Sequence, residues 1–129
     1  MSTASRQPLT TTPPDPRTPD ALGAALADRL HAGDLDGLVA LYEPSAVLEL
    51  PDGSVATGHA QIRDFYERVL AREAAMPTGV QRRPLVQGDL ALTTTVLPRS
   101  AGAGSATCEV ARRQPDGTWR WIIDRPSVR

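Results

Sequence analysis

The sequence is short of the features that would fix a compartment or a partner. Its single cysteine, Cys108, cannot form an internal disulfide. Cys108 lies in the β-like run Ala106-Thr107-Cys108-Glu109-Val110 with no histidine near it in sequence, which reads as a packed thiol rather than a nucleophile. No stretch approaches the ~20 apolar residues of a membrane helix. The N-terminus lacks the apolar core of a secretory signal. Together these point to a cytoplasmic protein with no membrane partner. Lys and Arg total 14 against 15 Asp and Glu, a net charge of −1, so there is no broad basic footprint for nucleic acid. The pairs Arg82-Arg83 and Arg112-Arg113 read as solvated strand positions. The only histidines, His31 and His59, have no carboxylate or cysteine at metal-ligand spacing, so neither a metal nor a cofactor is expected. The loop around Gly102 and Gly104 lacks the strand, helix and lysine of a phosphate-binding loop.

What is present fits one domain with a single core in 129 residues. Residues 1–18 are rich in Thr, Ser and Pro, bury too little to offset their ordering entropy, and are expected to form a disordered tail. The domain is expected over 19–126, with 127–129 as a short end. Thr18-Pro19-Asp20 opens a first helix bearing Leu22, Ala25, Leu26 and Leu30 on one face. Gly33 stops it, and Asp34 caps a second helix in which Leu35, Leu38, Val39 and Tyr42 repeat at helical spacing up to Pro44. Strands follow at 46–50 and 54–57. A third, strongly amphipathic helix opens at Gly58-His59 and carries Ile62, Phe65, Tyr66, Val69 and Leu70. Period-two patterning then marks strands at 80–87, 90–97, 106–113 and 118–124. Gln114-Pro115-Asp116-Gly117 is the turn of the last hairpin. The order α-α-β-β-α-β-β-β-β implies an α+β fold in which helices cover one face of an antiparallel meander.

Three of these segments resemble the nuclear transport factor 2-like, or SnoaL-like, superfamily. They are Ala32-Gly33-Asp34-Leu35-Asp36-Gly37-Leu38-Val39-Ala40-Leu41-Tyr42, with the Ala46-Val47-Leu48 that follows, then Gly58-His59-Ala60-Gln61-Ile62-Arg63-Asp64-Phe65-Tyr66, and finally the hairpin from Gln114 through Trp119 and Trp121 to Asp124. The resemblance covers about 19–126 and is nearest to a small bacterial branch of largely unknown function. Its relatives include ketosteroid isomerase, polyketide cyclases and limonene epoxide hydrolase. It implies a conical barrel: a curved sheet wrapped around helices, with a hydrophobic pocket between them. The isomerase's base and first oxyanion tyrosine fall on Leu50 and near Leu26, both apolar, so that machinery is not expected. Its second oxyanion donor falls on Glu109, and its aromatic pair on Phe65-Tyr66. The Asp-Arg-Asp set of the epoxide hydrolase finds no match.

Matched in this way, strand alternation turns Arg120, Ile122 and Asp124 into the pocket, with Asp124 as general base or ligand anchor; a strand-end acid paired to a neighbouring Arg is the structural alternative. Glu109 is expected to face inward beside it, as acid partner, unless it is an exposed partner of Arg120. Tyr66 is the third catalytic candidate and also reads as a core tyrosine with a satisfied hydroxyl. Tyr42 reads as core. Phe65, Ile122, Leu50, Leu26 and Arg120 are the expected ligand contacts. Trp119, Trp121 and Ile123 fall on the opposite face, where they motivate a homodimer through the convex sheet; a one-residue register change would swap the faces. Two functions remain open. One is a small cofactor-independent cyclase or isomerase acting on a hydrophobic carbonyl-containing metabolite. The other is a non-catalytic binding or dimerisation module with the same cone.

Overall fold

The computed structural model describes residues 15–73, 79–98 and 106–128. The tail up to residue 14 and the loop around Gly102 and Gly104 lie outside the described residues. Helix α1 (Ala21–Ala32) ends at Gly33, whose φ of 69° is the left-handed conformation that closes a helix. Helix α2 (Leu35–Val39) starts with the Asp34 carboxylate accepting the Gly37 N–H at 2.9 Å. Strand β1 (Tyr42–Glu49) and the short β2 (Val55–Thr57) precede helix α3 (Gly58–Ala71). The remaining strands are β3 (Val80–Gln81), β4 (Leu85–Gln87), β5 (Leu90–Thr93), β6 (Thr95–Val96), β7 (Ala106–Arg113) and β8 (Trp119–Val128). None of the described helices is long and apolar enough to cross a membrane.

The strands form a curved, unclosed sheet in the order β2-β1-β8-β7-β5-β4, with β6 pairing β3 and β7. Every pairing is antiparallel except β1 with β8. The concave face holds the core: Tyr42, Ala46, Leu48, Ala91, Ala111, Trp119 and Trp121 from the sheet meet Leu22, Leu38, Leu41, Ile62 and Tyr66 from the helical side. This is the expected α+β cone.

Several boundaries differ from the expectation. The second helix is one turn shorter, and Tyr42 opens β1 instead of closing the helix. Pro44 forces extended backbone on the residue before it. The chain therefore leaves α2 at Ala40, and the Leu41 carbonyl accepts the Trp121 N–H at 2.8 Å. The strand expected at 80–87 is split around 82–84, where Pro84 has no N–H to give a ladder. The strand expected at 90–97 is interrupted at Thr94.

The end of the expected tail is tied down. Pro16 is buried and its carbonyl accepts the Trp119 N–H at 2.9 Å, while Asp15 reaches the buried Arg29 at 3.0 Å. Arg29 also donates to the Gly37 carbonyl at 2.7 Å, so residues 15–17 fasten α1 and α2 to the last strand.

Candidate functional site

The pairing of β7 with β8 decides what enters the cone. Ala111 pairs with Trp121 but Val110 pairs with Ile123, so Ile122 is an extra residue, a β-bulge. The bulge breaks the alternation. Trp119, Trp121 and Asp124 all lie on the concave side and are buried, at 3–6% exposure. Simple alternation had placed the tryptophans outside and Arg120 and Ile122 inside. Both tryptophans are core residues, and the dimer motive drawn from them falls away. Arg120 pairs across the ladder with exposed Arg112 and lies near the Asp116 carboxylate, away from Glu109 and Asp124. Ile122 is half-buried at the bulge itself.

Asp124 and Glu109 are direct cross-strand partners, both buried on the concave face. The Tyr42 hydroxyl donates to Asp124 Oδ2 at 2.6 Å and bonds the Tyr66 hydroxyl at 2.7 Å. A phenol carries one proton. With Asp124 ionised, Tyr42 spends its proton on the carboxylate, so Tyr66 donates to Tyr42. With Asp124 protonated, the chain can run the other way and leave the Tyr66 proton free to point outward. Burial, followed by the charge of Glu109, pushes the Asp124 pKa up to about 7, against the downward pull of the Tyr42 hydrogen bond. Both tyrosines are pushed above the usual phenol value, Tyr42 far above it, chiefly by burial, so neither ionises near neutrality.

Glu109 has its own support. The Thr93 hydroxyl donates to Oε1 at 2.6 Å, and Thr107 supplies a further hydrogen bond. Trp121 Nε1 donates in turn to Thr93 Oγ1 at 3.5 Å. Burial raises the Glu109 pKa, and these hydrogen bonds oppose the rise. Every buried side-chain nitrogen and oxygen among the described residues has a partner. The Tyr42 ring lies 5.4 Å from Trp121 and 6.1 Å from Tyr66, and Phe65 meets Tyr66 edge-on at 5.0 Å. His59 Nε2 bonds the Tyr42 carbonyl at 2.7 Å, anchoring the start of α3 to the strand that carries Tyr42.

The structure thus brings together Asp124, Glu109 and Tyr66, with Tyr42 and Thr93 as members that sequence reasoning missed. Tyr42 fitted helical spacing with Leu35, and only Pro44 two residues on hinted at a strand. Nothing in the β-branched run from Thr93 to Val96 singled out Thr93. Leu26, Leu50 and Phe65 are half-buried against the core. Leu50 and Phe65 line a crevice at the rim of the cone, and Leu26 is not among its lining residues.

Residues 24–122 match the model of the SnoaL-like domain. The chain belongs to the SnoaL-like domain family. Its fold is the nuclear transport factor 2-like cone, and solved structures share it at low identity. A protein from Thiobacillus denitrificans, described as a candidate calcium/calmodulin-dependent protein kinase type II association domain, superposes with a TM-score of 0.71 at 17% identity, over 91% of this chain and 100% of that one. A candidate dehydratase of the NTF2-like family from Streptomyces avermitilis gives 0.63 at 19% identity, over 84% and 94%. An NTF2-like protein from Novosphingobium aromaticivorans gives 0.58 at 20% identity, over 81% and 75%. At these identities the likeness speaks for the SnoaL-like cone and not for a shared reaction.

Proposed function

We propose that this SnoaL-like domain is a cofactor-independent acid–base enzyme, of the cyclase or isomerase type, acting on a hydrophobic carbonyl-containing metabolite. The observation that carries the reading is the buried chain Tyr66–Tyr42–Asp124 set directly beside a second buried carboxylate, Glu109. Two acids with different surroundings divide their roles. Glu109, held by threonine donors, is the base that takes a proton from the carbon next to the carbonyl. The C–H electron pair moves into the enolate, and the oxygen that gains charge accepts a hydrogen bond from Tyr66. Asp124 supplies the proton that orients the chain outward, so the active form has Glu109 ionised and Asp124 protonated. An isomerase returns the proton at another carbon; a cyclase directs the carbanion to a second carbonyl of the same molecule. Asp124 was expected to be the base itself; its burial behind Tyr42 favours a proton reservoir.

The test is hydrogen–deuterium exchange next to the carbonyl of a panel of hydrophobic cyclic ketones in D2O, followed by NMR. Exchange above buffer that collapses in Glu109→Gln and falls in Tyr66→Phe supports the reading. Exchange equal to buffer across the panel sinks it.

One observation favours the binding module. Asp124, Glu109 and Tyr66 are each less than 10% exposed, and the rim crevice that holds Leu50 and Phe65 is not lined by any of them. Ketone binding that is unchanged in Asp124→Asn, with no exchange, would select this second reading.

The dimer rests on a different motive from the tryptophans. On the convex face Val47, Ile123, Val110, Leu92 and Leu85 pair in one row across five strands. Ile123 is 50% and Leu85 69% exposed, and a shallow groove of about 320 Å³ runs along β4, β5 and β7. A continuous apolar stripe with none of the described helices over it suits a second copy of the same face, in an isologous contact.

A further inference from the structure

We propose that the crevice at the rim of the cone is a binding site for a small aromatic or alicyclic carboxylate, with Arg68 and Arg72 receiving the anion and Phe65, Leu50 and Val69 the ring. It extends the small-molecule reading above by adding an anionic group to the ligand. The crevice holds about 200 Å³ and is lined by Leu50, Pro51 and Asp52 from the β1–β2 turn, by Phe65, Arg68 and Val69 from α3, and by Arg72, which caps its C-terminal end. Helical spacing at i, i+3, i+4 and i+7, carried on by the helical backbone of Arg72, puts those four residues on one face, so apolar and cationic side chains alternate along the same wall. Sites that bury a drug-sized ligand span roughly 300–1,000 Å³. This one suits a fragment of one or two rings.

The charges are free to act. Arg63, the other arginine early in α3, is engaged by Asp36 at 2.7 Å. Arg68 and Arg72 form no ion pair within 4 Å among the described residues, and both are exposed. Asp52, the acid of the lining, accepts the Ser54 N–H at 2.9 Å and the Ser54 hydroxyl at 2.6 Å. Those bonds are the main reason its pKa is lowered, with Arg68 a lesser one. Two guanidiniums against one committed carboxylate leave the crevice cationic, and a guanidinium matches a carboxylate in planar geometry. Its aromatic wall is also the neighbour of the buried relay, because Phe65 meets Tyr66 edge-on at 5.0 Å. A ring held on Phe65 is therefore one aromatic side chain away from Tyr66, which does not itself line the crevice.

Arginines in the last turn of a helix also complement its dipole with no ligand present. Calorimetric titration with naphthalene-2-carboxylate and with its neutral amide separates the two roles. The carboxylate should bind about tenfold or more tightly than naphthalene-2-carboxamide, and its affinity should fall as salt rises. The double variant Arg68→Gln/Arg72→Gln should bring the carboxylate down to the amide's affinity and leave the amide unchanged. Phe65→Ala should weaken both. Equal binding of carboxylate and amide, carboxylate affinity retained in the double variant, or no carboxylate binding at millimolar concentration would each overturn the site. Exchange of a neutral ketone should persist in the double variant, so a failed crevice with intact exchange leaves the acid–base reading standing.

Discussion

Each face of one sheet carries groups at odds with its surroundings. The concave face, shut against the helices, holds two carboxylates, Asp124 and Glu109, and the hydroxyl of Thr93. The convex face, with none of the described helices over it, holds a row of aliphatic residues from Val47 to Leu85. Burying a carboxylate opposes folding unless it is hydrogen-bonded or neutralised, and leaving leucines in water forgoes roughly 25 cal/mol per Å² of burial. Packing alone explains neither face. The inner face makes sense if its acids exchange protons with a ligand, and the outer face if a second copy covers it.

The inner face should break first and hardest. In the ketone exchange assay Glu109→Gln is expected to cost about 10²–10⁴ in rate, the usual worth of a positioned base, whereas Asp124→Asn, whose amide donates to Tyr42 as the protonated acid does, should keep exchange and lose its pH dependence near neutrality. Tyr66→Phe should cost about 10², because it removes the outward donor and leaves the ring contacts in place. Exchange should also fall as pH rises through about 7, where Asp124 loses its proton and Tyr66 turns inward. A rate that rises through that range would reverse the assigned roles.

The same acid should mark the pH dependence of stability. The Asp124 pKa is 3.8 in an ordinary setting and about 7 in the fold. Between those values the folded state keeps a proton that the unfolded chain has released, so stability should fall as pH rises from about 4 to about 7 and then level off. The full effect is on the order of 4 kcal/mol. Asp124→Asn cannot titrate, and should flatten most of that slope in urea unfolding series. Glu109, whose pKa is also raised, leaves a smaller slope of the same sign.

On the convex face, Leu92→Arg combined with Ile123→Arg should weaken self-association about 100-fold, near 2.7 kcal/mol. Sedimentation velocity of the two proteins at matched concentration reads this directly. A wild-type chain that stays monomeric at high micromolar concentration would remove the second copy from the account and leave the row of aliphatics unexplained.

How much of this was legible in the sequence follows the same division. The third helix, the last hairpin and the order of elements were readable because periodicity and turn chemistry are local. Asp124 and Glu109 were readable as inward candidates, although Asp124 was reached through the wrong neighbours. The run Trp121-Ile122-Ile123 is apolar throughout, so nothing in it marks the bulge at Ile122, which only the pairing with Val110 and Ala111 defines. One extra residue moved Trp119 and Trp121 inside and Arg120 outside. Tyr42 was hidden by a spacing that suits a helix and a strand equally, and Thr93 matters only through contacts 16 and 28 residues away along the chain. The convex stripe was invisible because its members come from five different strands.

The smallest expected effect concerns a third buried charge, which tests whether burial alone marks a functional group. Arg29 is 4% exposed, as covered as Asp124, yet it lies away from the relay and is satisfied by the Gly37 carbonyl and the Asp15 carboxylate. Asp15 is 52% exposed, so the pair itself is screened and worth little as an ion pair. Asp15→Ala takes away one partner of a buried guanidinium and loosens the strap that holds Pro16 on Trp119. The cost should be about 1 kcal/mol, or ~4 °C in Tm for a domain of this size. Removal of residues 2–14 should leave Tm unchanged, because the strap begins at Asp15. Ketone exchange should stay at the wild-type rate in both proteins. An exchange rate that fell with Asp15→Ala would mean the cone's interior depends on the strap, and that Arg29 belongs with the carboxylates rather than with the scaffold.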